Sequence, residues 1–141
     1  MARVTTKIIR KPRTASVIKG YEGNLRALVG RAGNLVRNTA VTSINQGAKS
    51  GVTYELYNPR RTHTASAAGQ PPATDTGFLV NNIVLDIDSD GLGANVESRA
   101  DYSSFLEFGT SKMAARPFMQ PALEENRPKI NRLAKQMIKA K

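Results

Sequence analysis

No cysteine occurs in the 141-residue chain, so it can form neither a disulfide nor a cysteine-ligated zinc site, and the composition fits folding in a reducing compartment. There is one histidine, His63, which excludes a histidine metal cluster. No apolar run approaches the roughly 20 residues that a membrane-spanning helix needs. The N-terminus is basic but has no apolar segment behind it, so no secretory signal is expected and the chain is expected to stay where it is made. Acidic residues are scarce, 11 against 21 Lys and Arg, which leaves a net charge of +10.

What is present suffices for one domain. Hydrophobic residues make up 40 % of the chain, enough for a modest core. The charge is unevenly spread. Residues 1–37 hold nine Lys and Arg against one acid, residues 82–110 hold six acids against one base, and residues 111–141 hold eight bases against two acids. A basic chain invites a nucleic-acid reading. An acidic middle between basic ends is equally complementary to further copies of itself in a head-to-tail ring.

Residues 1–19 mix Thr, Lys, Arg and β-branched residues without a clean period. They read as a basic flexible arm, with a possible edge strand at Val4–Ile9 that Pro12 ends. Residues 20–141 read as a single domain. From Tyr21 to Gln46, Leu25, Leu28, Val29, Ala32, Leu35, Val36, Ala40 and Ile44 recur at three- and four-residue steps, the mark of an amphipathic helix. Val52 to Tyr57 alternates as a half-buried strand, ended by Asn58-Pro59. Residues 60–75 have no period and contain Gly69 and Pro71-Pro72, which predicts a long loop. Asp75 or Thr76 is expected to cap a short helical turn whose inner side carries Phe78, Leu79 and Ile83.

Residues 83–99 alternate on either side of the turn signal Asp90-Gly91, which predicts a β-hairpin. Asp86, Asp88 and Asp90 have the spacing that opens a calcium loop, but strands flank them where an EF-hand has helices, so they are read as the hairpin tip. Tyr102 to Phe108 fits one or two helical turns. A last helix is expected near Pro121, with Glu124 and Glu125 in its first turns and a kink or break at Pro128. The expected fold class is therefore α+β: a long N-terminal helix, a small antiparallel sheet of three or four strands with the 83–99 hairpin, and a C-terminal helix. No phosphate-cradling glycine loop, no framed carboxylate pair and no nucleophile beside a base is visible. No enzyme activity, catalytic residue, cofactor or metal is expected, and assembly subunit or nucleic-acid binder are the leading readings.

Two stretches carry a resemblance. His63 to Ile83, HTASAAGQPPATDTGFLVNNI, resembles the pattern S-A-x-G-x-x-P-A-x-D-T-G-x-L-x-x-S-I, with Asn82 where Ser is common. Tyr102 to Leu123, YSSFLEFGTSKMAARPFMQPAL, resembles Y-A-x-x-x-E-F-G-T-x-x-M-x-A-R-P-F-x-x-P-A, with Ser103 for Ala. Both patterns resemble the neck, or tail-completion, family of long-tailed bacteriophages, which is similar in role to the lambda-type minor tail protein Z.

The resemblance implies a virion protein made in the host cytoplasm, without membrane contact. It would form a ring around the DNA channel between the head-closure proteins and the tail terminator or tail tube. Six copies would match the tail's symmetry. Under it, Phe105, Phe108, Met113 and Phe118 are expected as apolar anchors between subunits or rings. Arg116 is expected to bridge to a carboxylate, on a neighbour or on Glu107 of its own subunit. Arg3, Lys7, Arg10, Lys11, Arg13, Arg60 and Arg61 are expected to touch double-stranded DNA, without sequence preference, or a partner. A tail terminator and a stand-alone DNA binder remain the alternatives.

Overall fold

The computed structural model describes residues 5–8 and 22–139. The arrangement is α+β, in the order β1 (Thr5–Ile8), α1 (Glu22–Asn45), β2 (Thr53–Tyr57), β3 (Arg60–Thr64), α2 (Phe78–Asn81), β4 (Ile83–Ile87), β5 (Ala94–Ser98), α3 (Ser103–Phe108) and α4 (Met119–Lys139). The strands form two antiparallel sheets, one of three strands in the order β1-β5-β4 and one of two, β2-β3.

The core lies where α1 crosses the larger sheet and packs along α4. The apolar stripe of α1 buries Val29, Ala32, Val36, Ala40 and Ile44, the positions its three- and four-residue spacing put on one face. Against them pack Leu79, Ile83, Val96, Ala100, Phe118, Met119 and Ala122. Gly33 is where helix and sheet come closest: a Cβ there would sit 2.5 Å from Leu85 Cδ1, so the missing side chain sets the approach. Asn126, fully buried on α4, donates to Thr39 Oγ1 on α1 at 2.8 Å and to the Ala122 carbonyl at 2.8 Å. This polar tie fixes the register of the two helices in an otherwise apolar seam.

The 83–99 hairpin forms as its alternation predicts, with Ile83 opposite Ser98 and Ile87 opposite Ala94. Thr5–Ile8 is the edge strand expected near that position and pairs with β5, so it belongs to the sheet and not to an arm.

Several expectations need correction. Residues 60–64 are strand, not loop: β3 returns along β2 with Tyr54 opposite His63. Arg-Arg-Thr-His-Thr offers no apolar alternation, so only its partner strand reveals it. β2 is exposed on both faces, with Leu56 alone half-buried, because nothing covers the second face of this ribbon. α2 starts at Phe78 after Gly77, whose φ of 79° is the left-handed region; of the two expected caps it is Thr76 whose hydroxyl accepts the Phe78 N–H, at 3.4 Å. Phe78 points outward while Leu79 and Ile83 are buried. α4 begins at Met119 and runs unbroken through Pro128. Pro128 lies on the exposed face beside Glu124, so the carbonyl freed by its missing N–H is on the water side. Glu124 and Glu125 lie beyond the first turn and pair instead with Arg127 and Lys129. Among the described residues, no helix is long and apolar enough to cross a membrane.

Candidate functional site

The chain between α3 and α4 folds back on itself. α3 stops at Gly109, whose φ is 75°. A Cβ there would lie 2.8 Å from the Ala115 nitrogen and 2.9 Å from the Met113 carbonyl, so the turn needs glycine. Thr110 closes the loop: its N–H donates to the Met113 carbonyl at 2.8 Å, and its hydroxyl accepts from the N–H groups of Lys112 and Met113. The Arg116 N–H returns to the Leu106 carbonyl, and Pro117-Phe118 leads into α4.

α4 has no Ser, Thr, Asp or Asn at its start to accept its first N–H groups. Glu107 does so from eleven residues upstream. Its Oε2 accepts from Phe118 at 2.9 Å and Met119 at 3.0 Å, and its Oε1 accepts from Gln120 at 2.9 Å. The carboxylate is 5 % exposed. A buried charge is tolerable here because three charge-assisted hydrogen bonds and the positive end of a 21-residue helix face it. This corrects the expected Arg116–Glu107 bridge: Glu107 is fully engaged by backbone. The sequence signal was a glutamate closing one short helix ahead of a long helix without a cap of its own.

The next motif positions face the other way. Phe105 is 57 % exposed and Phe108 is 69 % exposed. Met113 and Arg116 are half-buried. Phe118 is 1 % exposed and belongs to the core, so it is not a subunit anchor; its position directly before α4 drives it under the helix.

The two motif stretches meet. The Gly69 N–H donates to the Ala115 carbonyl at 2.9 Å, tying the 65–77 loop to the 109–118 loop. Between them lies a cleft of about 220 Å³ whose walls include His63, Asp75, Phe78, Tyr102, Leu106 and Arg116. The rings of Phe78 and Tyr102 lie 6.1 Å apart, tilted, at its rim. Asp75 is engaged by β3: it pairs with Arg61 and lies 3.7 Å from His63 Nδ1. Arg61 and His63 share a face of the strand, so one carboxylate latches β3 at these two positions. Burial, and then the charge of Asp75, push the Tyr102 hydroxyl above the usual phenol range. Arg116 Nε is buried and has no hydrogen-bond partner among the described residues. The cleft thus offers apolar walls, an already neutralised carboxylate and one unmet cationic donor, an arrangement suited to an acidic side chain.

The basic candidates scatter. Arg60 is exposed at the tip of the β2–β3 hairpin, and Arg61 is committed to Asp75. Lys7 lies in β1 opposite Asn95. Arg3, Arg10, Lys11 and Arg13 lie outside the described residues. On the β4–β5 hairpin, Arg99 reaches from the base to hold Asp86 at 2.7 Å and Glu97 at 2.8 Å, and at the tip the Asp90 carboxylate accepts the Leu92 N–H at 2.8 Å. Comparisons of the chain with protein-family models, with curated proteins and with solved structures found no match.

Proposed function

We propose that the chain is a structural, non-enzymatic subunit of a bacteriophage neck, assembling as a ring that joins the DNA-filled head to the tail. The observation that carries this reading is the joint between α3 and α4. Its conspicuous motif residues divide into two duties: Glu107 and Gly109 lock the turn, and Phe105 and Phe108 are held outward on it. A monomer gains nothing by rigidly presenting two phenylalanines to water, whereas an interface does. The motif resemblance supplies the setting: a ring of six copies in the virion, head-closure proteins on one side, the tail terminator or tube on the other, and double-stranded DNA in the channel.

Deleting the gene from the phage that carries it and imaging the lysate tests the role. Full heads beside separate tails of normal length are the expected result. Tails of irregular or excessive length would assign the chain to tail termination. Infectious particles of normal form would overturn the reading.

A further inference from the structure

Two features at opposite ends of the sheet are unspent. In the cleft, Arg116 Nε lacks an acceptor. The carboxylates near it are taken, Asp75 by Arg61 and Glu107 by three backbone N–H groups. Among the described residues no carboxylate is left for Arg116, so an acceptor from a second molecule can meet it. At the β4–β5 tip the converse holds. Asp86 is engaged by Arg99 and Asp90 by the Leu92 N–H. Asp88 forms no ion pair with another described residue, and Ile87 beside it is 52 % exposed.

We propose that Ile87-Asp88 of a second copy of this chain fills the cleft. The Asp88 carboxylate accepts from the Arg116 guanidinium, and Ile87 packs on the rings of Phe78 and Tyr102. A chain cannot fill its own cleft this way. β4 leads away from α2 at the cleft wall, and its five residues place the tip roughly 17 Å off at ~3.3 Å per residue. Cleft and tip are different surfaces, so the contact is head-to-tail, the kind that closes into a ring when its rotation allows. The tip carries Asp86, Asp88 and Asp90, and the cleft wall presents Arg116, its carboxylate Asp75 being already paired with Arg61. This inference deepens the reading above by naming the occupant of the cleft, and it rests on that reading only for where such a ring would sit.

Sedimentation of the purified full chain tests it. The wild type is expected to self-associate. Asp88→Asn and Arg116→Gln are each expected to weaken association at least about tenfold, and the double variant no further than either alone. Ile87→Ser, at an exposed site, is expected to weaken association while leaving the thermal melt in place. Association unchanged in Asp88→Asn or Ile87→Ser, additive losses in the double variant, or a wild type that stays monomeric to its solubility limit would overturn the contact. Should Arg116→Gln fail to fold, the two tip variants carry the test alone. Heads and tails left apart by gene deletion, together with tip variants that associate like wild type, would keep the joining role and remove this contact.

Discussion

The two hairpins are built alike and used differently. β2–β3 and β4–β5 each pair two five-residue antiparallel strands. β4–β5 lies against α1 and buries Ile83, Ala94, Val96 and Ser98. β2–β3 keeps Tyr54 and Tyr57 exposed, and Asp75 ties its β3 strand to the body through Arg61 and His63. Backbone pairing therefore does not decide which hairpin belongs to the core; the helix laid across one of them does. The packed hairpin stabilises the fold, and the bare one is available to other surfaces.

Substitutions can break that contrast. Ile83→Ala in β4 is expected to lower unfolding free energy by about 2–5 kcal/mol in denaturant titration, since it opens a cavity at a fully buried site. Glu107→Ala, at the border of packed and presented regions, is expected to cost about 2–4 kcal/mol, because three N–H groups lose their shared acceptor. A loss below about 1 kcal/mol would mean that water replaces the carboxylate without penalty. Gly109→Ala is expected to cost about 1–3 kcal/mol through backbone strain. Tyr54→Ala in β2 is expected to stay within about 0.5 kcal/mol of wild type; a loss as large as that of Ile83→Ala would erase the distinction between the hairpins.

The smallest effect is spectroscopic. The Tyr102 hydroxyl is held above the usual phenol range, chiefly by burial. Its protonated form is favoured by the fold, so the associated stability is present below about pH 10 and is lost as pH rises through the raised value. Tyr102→Phe should remove the late component of a phenolate absorbance titration and leave neutral-pH stability alone. A titration curve unchanged by the substitution would contradict the assignment.

What the sequence made legible follows the same division. α1 and β4–β5 announced themselves because their burial alternates with the period of the element. β3 did not, because its residues are polar on both faces and its evidence is its partner strand. That Phe105 and Phe108 face outward was not readable from the residues themselves, because two aromatics three apart on a short helix fit a core as well as a surface. Nor was the Glu107 cap, because the groups it satisfies lie beyond a loop, and a local reading placed Glu107 opposite Arg116 by charge alone. Phe118 was misplaced for a related reason: an aromatic before a helix can point in or out, and the cap geometry turns it inward.

β1 carries a consequence for how the chain is made. It pairs Thr5 with Glu97 and Ile8 with Ala94, so well over half of the sequence lies between the partners. During synthesis β1 leaves the ribosome long before β5 exists, and the β4–β5 hairpin can close on its own while β1 waits. The sheet is thus completed from the outside, by a strand made before its partner and docked after it. A chain lacking residues 1–8 would expose β5 as a raw edge, open to a strand from any neighbour.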